Sequence, residues 1–480
     1  MKKILTLVLV FLIVTSCQNE LTELNTNPKR ALIVPGETLF SSAEKSLTDA
    51  VASGNVNTNI FRLLSQQWAQ TTYTDESRYD LVTRNIPQTF WNIMYRDVLR
   101  DLLEAKNLIG KQDPLYNDPI IIKNKLAVIE ILSVYTYSIL VNTFGNIPYS
   151  QALDINTANP KYDDAATITN DLFTRLNAAL ASLEVATESF GDADLVYGGD
   201  VVKWMKFGHS LKLKMAMILA DADPAKAKTF VEQAAPHVFT SNADNAVFKY
   251  LPAPPNTNPI WVDLVQSGRQ DFVAANTLID KMNTLIDPRR AFYFTPLKDD
   301  TFKGGTYGAS NSYPSFSKPG EMIVAPTFEA LLLDYSEIEF YLAEALERGF
   351  SLGAVPGTAE THYTNGITAS LSYWGVSQED IDKYVAMEAV AYATASGNYK
   401  EKIGTQKWIA LYNRGYDAWT EWRRLDYPTL KVPSNAVLPS IPVRYTYPVL
   451  EQNLNTTNYN EAAATIGGDK AATKLFWDKF

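Results

Sequence analysis

The sequence predicts a mainly α protein, with tetratricopeptide-like helix pairs (an α-α superhelix) decorated by long loops and minor β structure. Three observations predict it. Apolar residues recur at three- and four-residue spacing through most of residues 37–235 and again through residues 326–425. These stretches follow one another as pairs joined by loops, an arrangement in which each pair buries its apolar stripes against the next. Between them, residues 241–326 are punctuated by Pro252, Pro254, Pro255, Pro259, Gly304, Gly305, Gly308, Pro314 and Pro319. Such composition reads as long loops laid over a helical body. No strict sequence period runs through the pairs.

Glu37–Val51 opens the helical series. Asn57–Thr72 follows, with Ile60, Phe61, Leu64 and Trp68 at helical spacing and Trp68 assigned to the core. Tyr73–Pro87 is a polar loop bearing aromatic residues. Gln88–Ile109 carries a stripe of Trp91, Met94, Val98, Leu102, Ala105 and Leu108. Lys123–Phe144 is apolar nearly all round, which predicts a central buried helix; Glu130, Asn142 and several hydroxyls argue against a membrane span. Gly145 ends it. Thr167–Leu183, Asp200–Leu219 and Asp223–Ala235 are the next helices, and Val273–Leu285 is the one expected inside the loop-rich region. Helices resume at Pro326–Phe350, Glu360–Trp374, Gln378–Ala395 and Ile403–Leu425, the last ended by Pro428. Little sheet is expected beyond a hairpin or two among the loops.

The first 17 residues, MKKILTLVLVFLIVTSC, have the plan of an export signal: Lys2 and Lys3, an apolar run from Ile4 to Val14, then small residues. That run is too short for a stable membrane anchor. Val14-Thr15-Ser16-Cys17 resembles a bacterial lipobox, so Cys17 is expected to be the lipidated first residue of the mature chain, holding it on a membrane through acyl chains. Residues 18–36 read as a tether and residues 37–480 as the folded body.

Of the 480 residues, 46% are hydrophobic and 20% charged, the balance of a folded globular protein. The net charge is −10, and loss of Lys2 and Lys3 with the signal makes it −12. An acidic chain is a poor partner for nucleic acid or anionic lipid. Cys17 is the only cysteine, which leaves the body without disulfides, thiolate metal sites or a thiol nucleophile. No P-loop, G-x-S-x-G, H-E-x-x-H, dinucleotide-glycine or D-x-D-x-D-G calcium-loop pattern is present. His209, His237 and His362 are far apart in sequence and lack ligand spacing. No catalytic residue, metal ligand or cofactor is assigned. Two carboxylates suffice for a glycosidase, so a surface glycan hydrolase stays open as a less favoured alternative.

Several stretches carry a family resemblance. In order they are Asn25-Thr26-Asn27-Pro28, Gln66-Gln67-Trp68-Ala69-Gln70, Phe144-Gly145-Asn146-Ile147-Pro148-Tyr149, Tyr197-Gly198-Gly199-Asp200, Lys203-Trp204, Ser210–Lys214, Ala343-Glu344-Ala345, Gln406-Lys407-Trp408 and Trp419–Pro428. Over nearly the whole chain the sequence resembles the SusD/RagB-like outer-membrane lipoproteins of Bacteroidetes, nearest the starch-binding, outer-membrane-associating subgroup. The resemblance implies four tetratricopeptide-like helix pairs with long loops. It implies a place at the outer membrane facing outward, and a SusC-like TonB-dependent transporter as partner, on which the lipoprotein sits as a lid. It implies non-catalytic capture of an oligosaccharide and its delivery to that barrel; some members serve peptides, which is the first alternative.

Sugars are held by flat aromatic faces together with carboxylates, amides and guanidinium groups in a shallow cleft. Tyr73, Asp75, Arg78 and Tyr79 supply that mixture within one loop. The resemblance adds donors from loops in the middle of the chain, which here are Trp261, Tyr307 and Tyr313. Trp419 and Arg423 share a helical face and suit a cation–π pair. With Trp422 and Arg424 they are assigned to packing and a buried ion pair rather than to ligand binding.

Overall fold

The computed structural model of the chain describes residues 34–480. The expected leader, Cys17 and residues 18–33 of the tether lie outside the described residues. The first long helix is α1 (Gly36–Ala52), followed by the short α2 (Phe61–Leu64). Then come α3 (Ile86–Asn92) and α4 (Arg100–Ile109), which run on from one another through a π-helical stretch, Ile93–Leu99. α1 packs against α4 as the first pair. α5 (Pro119–Phe144) and α6 (Ala165–Ser182) form the second, and α7 (Val201–Ile218) and α8 (Pro224–Ala234) the third. The loop-rich region holds α9 (Asn276–Thr284), and α10 (Tyr335–Glu347) with α11 (Ala359–Tyr373) makes the fourth pair. The pairs stack in order through α4 on α5, α5 and α6 on α7, and α7 on α10. Next come α12 (Gln378–Val385), α13 (Tyr399–Ala410), α14 (Gly415–Leu425), α15 (Val449–Leu454) and α16 (Thr456–Thr465).

Helix starts are written into the sequence as acceptor side chains. Asp118, Asp164, Asp200, Asp223 and Asp334 each accept from a backbone N–H of the first turn of α5, α6, α7, α8 and α10, and Thr358, Ser377 and Asn398 do so for α11, α12 and α13. Each cap satisfies a donor that the helix itself leaves unpaired, contributing about 1 kcal/mol. α5 is long and apolar enough to cross a membrane, yet 89% of its most apolar window is buried inside the protein. It is the central helix expected from its all-round apolarity.

Among the described residues three small antiparallel sheets complete the fold, each of two strands: β1 (Trp68–Gln70) with β5 (Phe272–Ala274), β2 (Ile147–Pro148) with β3 (Tyr162–Asp163), and β4 (Ala246–Phe248) with β6 (Ala330–Leu333). Strand formation corrects three helix expectations. Asn57–Thr72 is helical only over α2; Gln66 takes a left-handed φ of 54°, and Trp68 enters the core from a strand. Val273 and Ala274 belong to β5, with helix beginning at Asn276, and residues 330–333 are strand before α10 begins. In all three, pairing with a strand far away in sequence overrides local periodicity. The two larger sheets are therefore long-range clamps rather than hairpins. Ile403–Leu425 is two helices, α13 and α14, broken at Asn413, whose φ is 65°. Regular helix in Gln378–Ala395 ends at Val385.

α7, α10, α13 and α14 meet around a buried ion network. Arg414 contacts Asp334 at 3.1 Å, Glu337 at 2.6 Å and Asp417 at 2.8 Å; Lys214 contacts Glu337 at 3.0 Å and also Asp417. Arg424 contacts Glu344 at 2.5 Å and Glu421 at 2.6 Å, and Lys407 contacts Glu421 at 2.8 Å. Arg348 joins Glu344 to Asp221, which Lys400 also reaches. The Tyr341 hydroxyl lies 3.0 Å from Glu337 and 2.7 Å from Glu421, linking the two halves. Six cations (Lys214, Arg348, Lys400, Lys407, Arg414, Arg424) thus face six carboxylates (Asp221, Asp334, Glu337, Glu344, Asp417, Glu421). Burial alone would raise the Glu337 carboxyl, but Lys214, Arg414 and Lys407 outweigh it and bring it down to about 2. Glu421 is likewise held well below the carboxylate range by Arg424 and Lys407 against its burial. Arg423 stands apart: it stacks 3.6 Å over Trp419 and donates to the carbonyls of Asn142 and Val443.

Removing one member leaves the rest buried and unbalanced. Arg424→Ala is expected to cost about 3–5 kcal/mol, read from urea unfolding. Because the Glu337 and Glu421 pKa values are depressed on folding, the stability they contribute is present above the unfolded carboxylate range. It is lost as pH falls from about 4.5 toward 2. The urea midpoint of the parent protein therefore drops steeply across that window.

Candidate functional site

The β1–β5 clamp builds the site. Its register sets Trp68 opposite Ala274 and Gln70 opposite Phe272, which lays the loop after β1 along the segment before β5. Thr71 N–H donates to the Asp271 carbonyl at 2.9 Å, and Asn311 seals the far side by donating to the carbonyls of Thr71 and Gln70. Residues 269–271 form a ridge, with Phe272 buried behind them. Arg269 and Asp271 pair across it at 2.5 Å, and both stay partly exposed.

A cleft opens on each side of that ridge. The first, about 140 Å³, is walled by Gly54, Asn55, Val56, Asn57, Gln70, Tyr73, Arg84 and Asp263. The second, about 200 Å³, is walled by Leu264, Val265, Thr295, Tyr313, Lys318, Glu321 and Val324. Arg269, Asp271 and Phe272 line both. The first cleft is fixed from beneath: Gln70 donates to Glu76 at 2.6 Å and accepts from Ser77 N–H, while Arg84 pairs with the other Glu76 oxygen. Its wall is thus a set of amides, carboxylates and guanidinium groups around one free ring. Tyr73 is that ring, with 57% of its surface exposed. In the second cleft the Lys318 ammonium sits 5.0 Å above the Tyr313 ring, which is partly exposed. Burial pushes the Asp263 carboxyl up to about 6, against the opposing hydrogen bond from Asn55 and the charge of Arg62.

Of the residues singled out from sequence, Tyr73 and Tyr313 reach the two clefts. Tyr79 and Tyr307 do not, and the structure corrects both. Tyr79 is 1% exposed, with φ of 69°, and accepts from the Gln66 amide at 3.1 Å. Tyr307 is 8% exposed and donates to the Leu63 carbonyl at 2.6 Å. Their rings lie 6.3 Å apart beneath the loop, where they hold it in place. Arg78, partly exposed, donates to the Asn435 carbonyl at 2.9 Å, and Asp75 is partly buried at the turn before it; neither lines a cleft. Trp261 is half-buried on the helical turn that leads into Asp263, Leu264 and Val265. Arg84, Arg269 and Asp271 were missed in the sequence because charged loop residues carry no periodic signal, and Asp263 because its helical segment is only a few residues long. Gly268-Arg269-Gln270-Asp271 just ahead of a strand was the available hint.

His209 and His237, remote in sequence, bring their rings to 4.7 Å, which corrects their expected separation. His362 is buried against Glu339 at 2.7 Å. Among the described residues no three His, Cys, Asp or Glu side chains gather as a metal site.

The chain belongs to the SusD-like family described as starch-binding and associating with the outer membrane, which matches residues 28–448. The family description is that of binding proteins, and two of the solved structures below are described as chitin-binding. Among solved structures, a chitin-binding protein is 26% identical and superposes with a TM-score of 0.81, covering 93% of this chain and 100% of its own. A chitin-binding SusD homologue from Flavobacterium johnsoniae is 25% identical with a TM-score of 0.77, covering 92% and 98%. A SusD homologue from Bacteroides uniformis is 26% identical with a TM-score of 0.78, covering 92% and 99%. No protein of curated function matches.

The geometry separates holding residues from facing residues. Tyr307→Phe removes the hydroxyl that donates to the buried Leu63 carbonyl beside the Gln66 N–H, and is expected to destabilise the fold by about 1 kcal/mol. Tyr73→Ala leaves the melting temperature unchanged. Thermal melts of both variants check the assignment.

Proposed function

We propose that the protein is a non-catalytic lipoprotein of the cell surface that captures an oligosaccharide in the paired clefts and passes it to a SusC-like TonB-dependent transporter. Lipidation at Cys17, after removal of the leader, ties the body to the outer membrane, and residues 18–36 act as the tether. The observation that carries the proposal is the site's composition: an exposed Tyr73 ring beside preformed amide, carboxylate and guanidinium groups, with a second, partly exposed ring, Tyr313, beside Lys318 and Glu321 across the Arg269–Asp271 ridge. Ring faces take the C–H side of a sugar, and the polar groups take its hydroxyls. Two clefts sharing one ridge suit a chain of sugars better than a single small molecule. The relatives described as chitin-binding make soluble chitin oligomers the first ligands to try, and the family description adds malto-oligosaccharides.

Isothermal titration with chitin hexamer and maltohexaose tests the proposal. At least one is expected to bind, and Tyr73→Ala is expected to weaken it about tenfold, roughly 1.4 kcal/mol, without release of reducing sugar. Unchanged affinity in Tyr73→Ala and Tyr313→Ala together would refute this site. Cys17→Ala is expected to move the protein out of the membrane fraction.

A further inference from the structure

The two most exposed large apolar side chains among the described residues are neighbours. Leu115 is 84% and Tyr116 85% exposed, at the tip of the loop joining α4 to α5. Ile120, in the first turn of α5, and Val185, in the loop after α6, are exposed at the same end. Lys123 pairs with Glu184, and Asn124 donates to the carbonyls of Glu184, Thr187 and Glu188, which holds that loop against the start of α5. The chain arriving from Cys17 enters the body beside this tip. Gly36 begins α1 pressed against the end of α4, where a Cβ would lie 2.8 Å from the Ile109 side chain. Gln112 donates to Glu37 at 3.0 Å, and Lys125 pairs with Glu37 at 2.7 Å. From Pro114 to Asn117 no backbone donor is free. Pro114 carries no N–H, Leu115 N–H donates to the Asp113 carboxylate, and Tyr116 and Asn117 N–H donate to the Asp113 carbonyl. Pro119 likewise has no N–H, and Ile120 N–H donates to the Asp118 carboxylate at 2.8 Å.

We infer that this tip is a shallow membrane contact: Leu115, Tyr116 and Ile120 enter the headgroup boundary of the lipid surface to which Cys17 is tied, and so set which end of the helix stack faces it. The inference rests on the lipid anchor of the proposed function and adds the orientation of the body. The backbone favours lipid over a protein partner. A bilayer offers no hydrogen-bond partner below its headgroups, so a segment that enters it must arrive with its donors already paired. A tyrosine beside aliphatic side chains suits that boundary, with its ring toward the acyl chains and its hydroxyl toward the headgroups. Lys111, Lys123, Asp113, Asp118 and Glu184 are exposed around the tip. Their desolvation cost keeps the insertion shallow, and their mixed signs suit zwitterionic headgroups.

Nitroxide labels on Leu115→Cys, Tyr116→Cys and Ile155→Cys test this in the lipidated protein held on phosphatidylcholine vesicles. Cys17 is the only native cysteine and lipidation caps it, so each variant carries one reactive thiol. Ile155 is the control. It is 83% exposed, but it sits in the β2–β3 loop beyond the other end of α5, ~40 Å away at 1.5 Å per residue. Labels at 115 and 116 are expected to meet a water-soluble nickel chelate at least about threefold less often than the label at 155, and dissolved oxygen more often. Adding Tyr116→Asp to Leu115→Cys is expected to restore access to nickel while the protein stays on the vesicle, because a carboxylate resists entry into lipid. Equal access at all three positions of vesicle-bound protein overturns this inference alone. Protection at 115 and 116 that appears only at high protein density, or only with a transporter barrel in the vesicle, also overturns it and makes the occupant a second copy or the barrel. Protein that does not stay on the vesicles overturns the Cys17 anchor and this inference together.

Discussion

Charge taken out of water must be matched or the fold does not close, and the six-against-six network at the meeting of α7, α10, α13 and α14 is where this chain meets that demand. Each ion costs several kcal/mol to desolvate, so the network adds little net stability over an apolar core of the same shape. Its consequence is positional: the charge pairs tie the four helices to one another. That arrangement propagates. The end of α13 and the turn after it grip the segment that becomes β1: Trp408 donates to the Ser65 carbonyl, Gln67 to the Leu411 carbonyl, and Trp68 to the Tyr412 hydroxyl. Gly415 lets α14 approach α2 closely; a Cβ there would lie 2.5 Å from the Arg62 backbone nitrogen. With β1 set, β5 pairs to it, and the Arg269–Asp271 ridge falls between the clefts.

The site built on this frame has the means to hold a ligand. Glu76 is spent on Gln70 and Arg84, and Asp271 on Arg269. The remaining groups are hydrogen-bonding partners held at fixed positions by the layer beneath them, which lowers the ordering cost when a ligand arrives. Buried Tyr79 and Tyr307 belong to that lower layer. Their burial illustrates why aromatic loop residues divide into rings that carry the loop and rings that the loop carries outward.

Much of the fold was legible in the sequence. Apolar runs and stripes marked helices in all four pairs, and Asp200 and Asp223 marked where α7 and α8 begin, whereas the starts of α5 and α6 were set four and two residues late. The all-round apolarity of α5 announced its central place. What was not legible was set by distant partners. Residues 68–70 carry Trp68 at helical spacing from Phe61 and Leu64, yet β5, some two hundred residues on, makes them strand. The break at Asn413 depends on a left-handed φ within an otherwise aromatic helical pattern. At the site, Tyr73 and Tyr313 were recoverable as loop rings, but nothing local distinguished them from Tyr79 and Tyr307. Asp263 and Arg269 become visible only when β1 and β5 close and bring the two loops together.

A crystal of the protein grown with chitin hexamer examines the central claim most directly, because it asks where a sugar chain lies rather than how tightly it is held. The account calls for intact sugar running across the Arg269–Asp271 ridge with one ring against Tyr73. Sugar bound on the stacked helix pairs with both clefts empty, or a cleaved chain in the cleft, would contradict it.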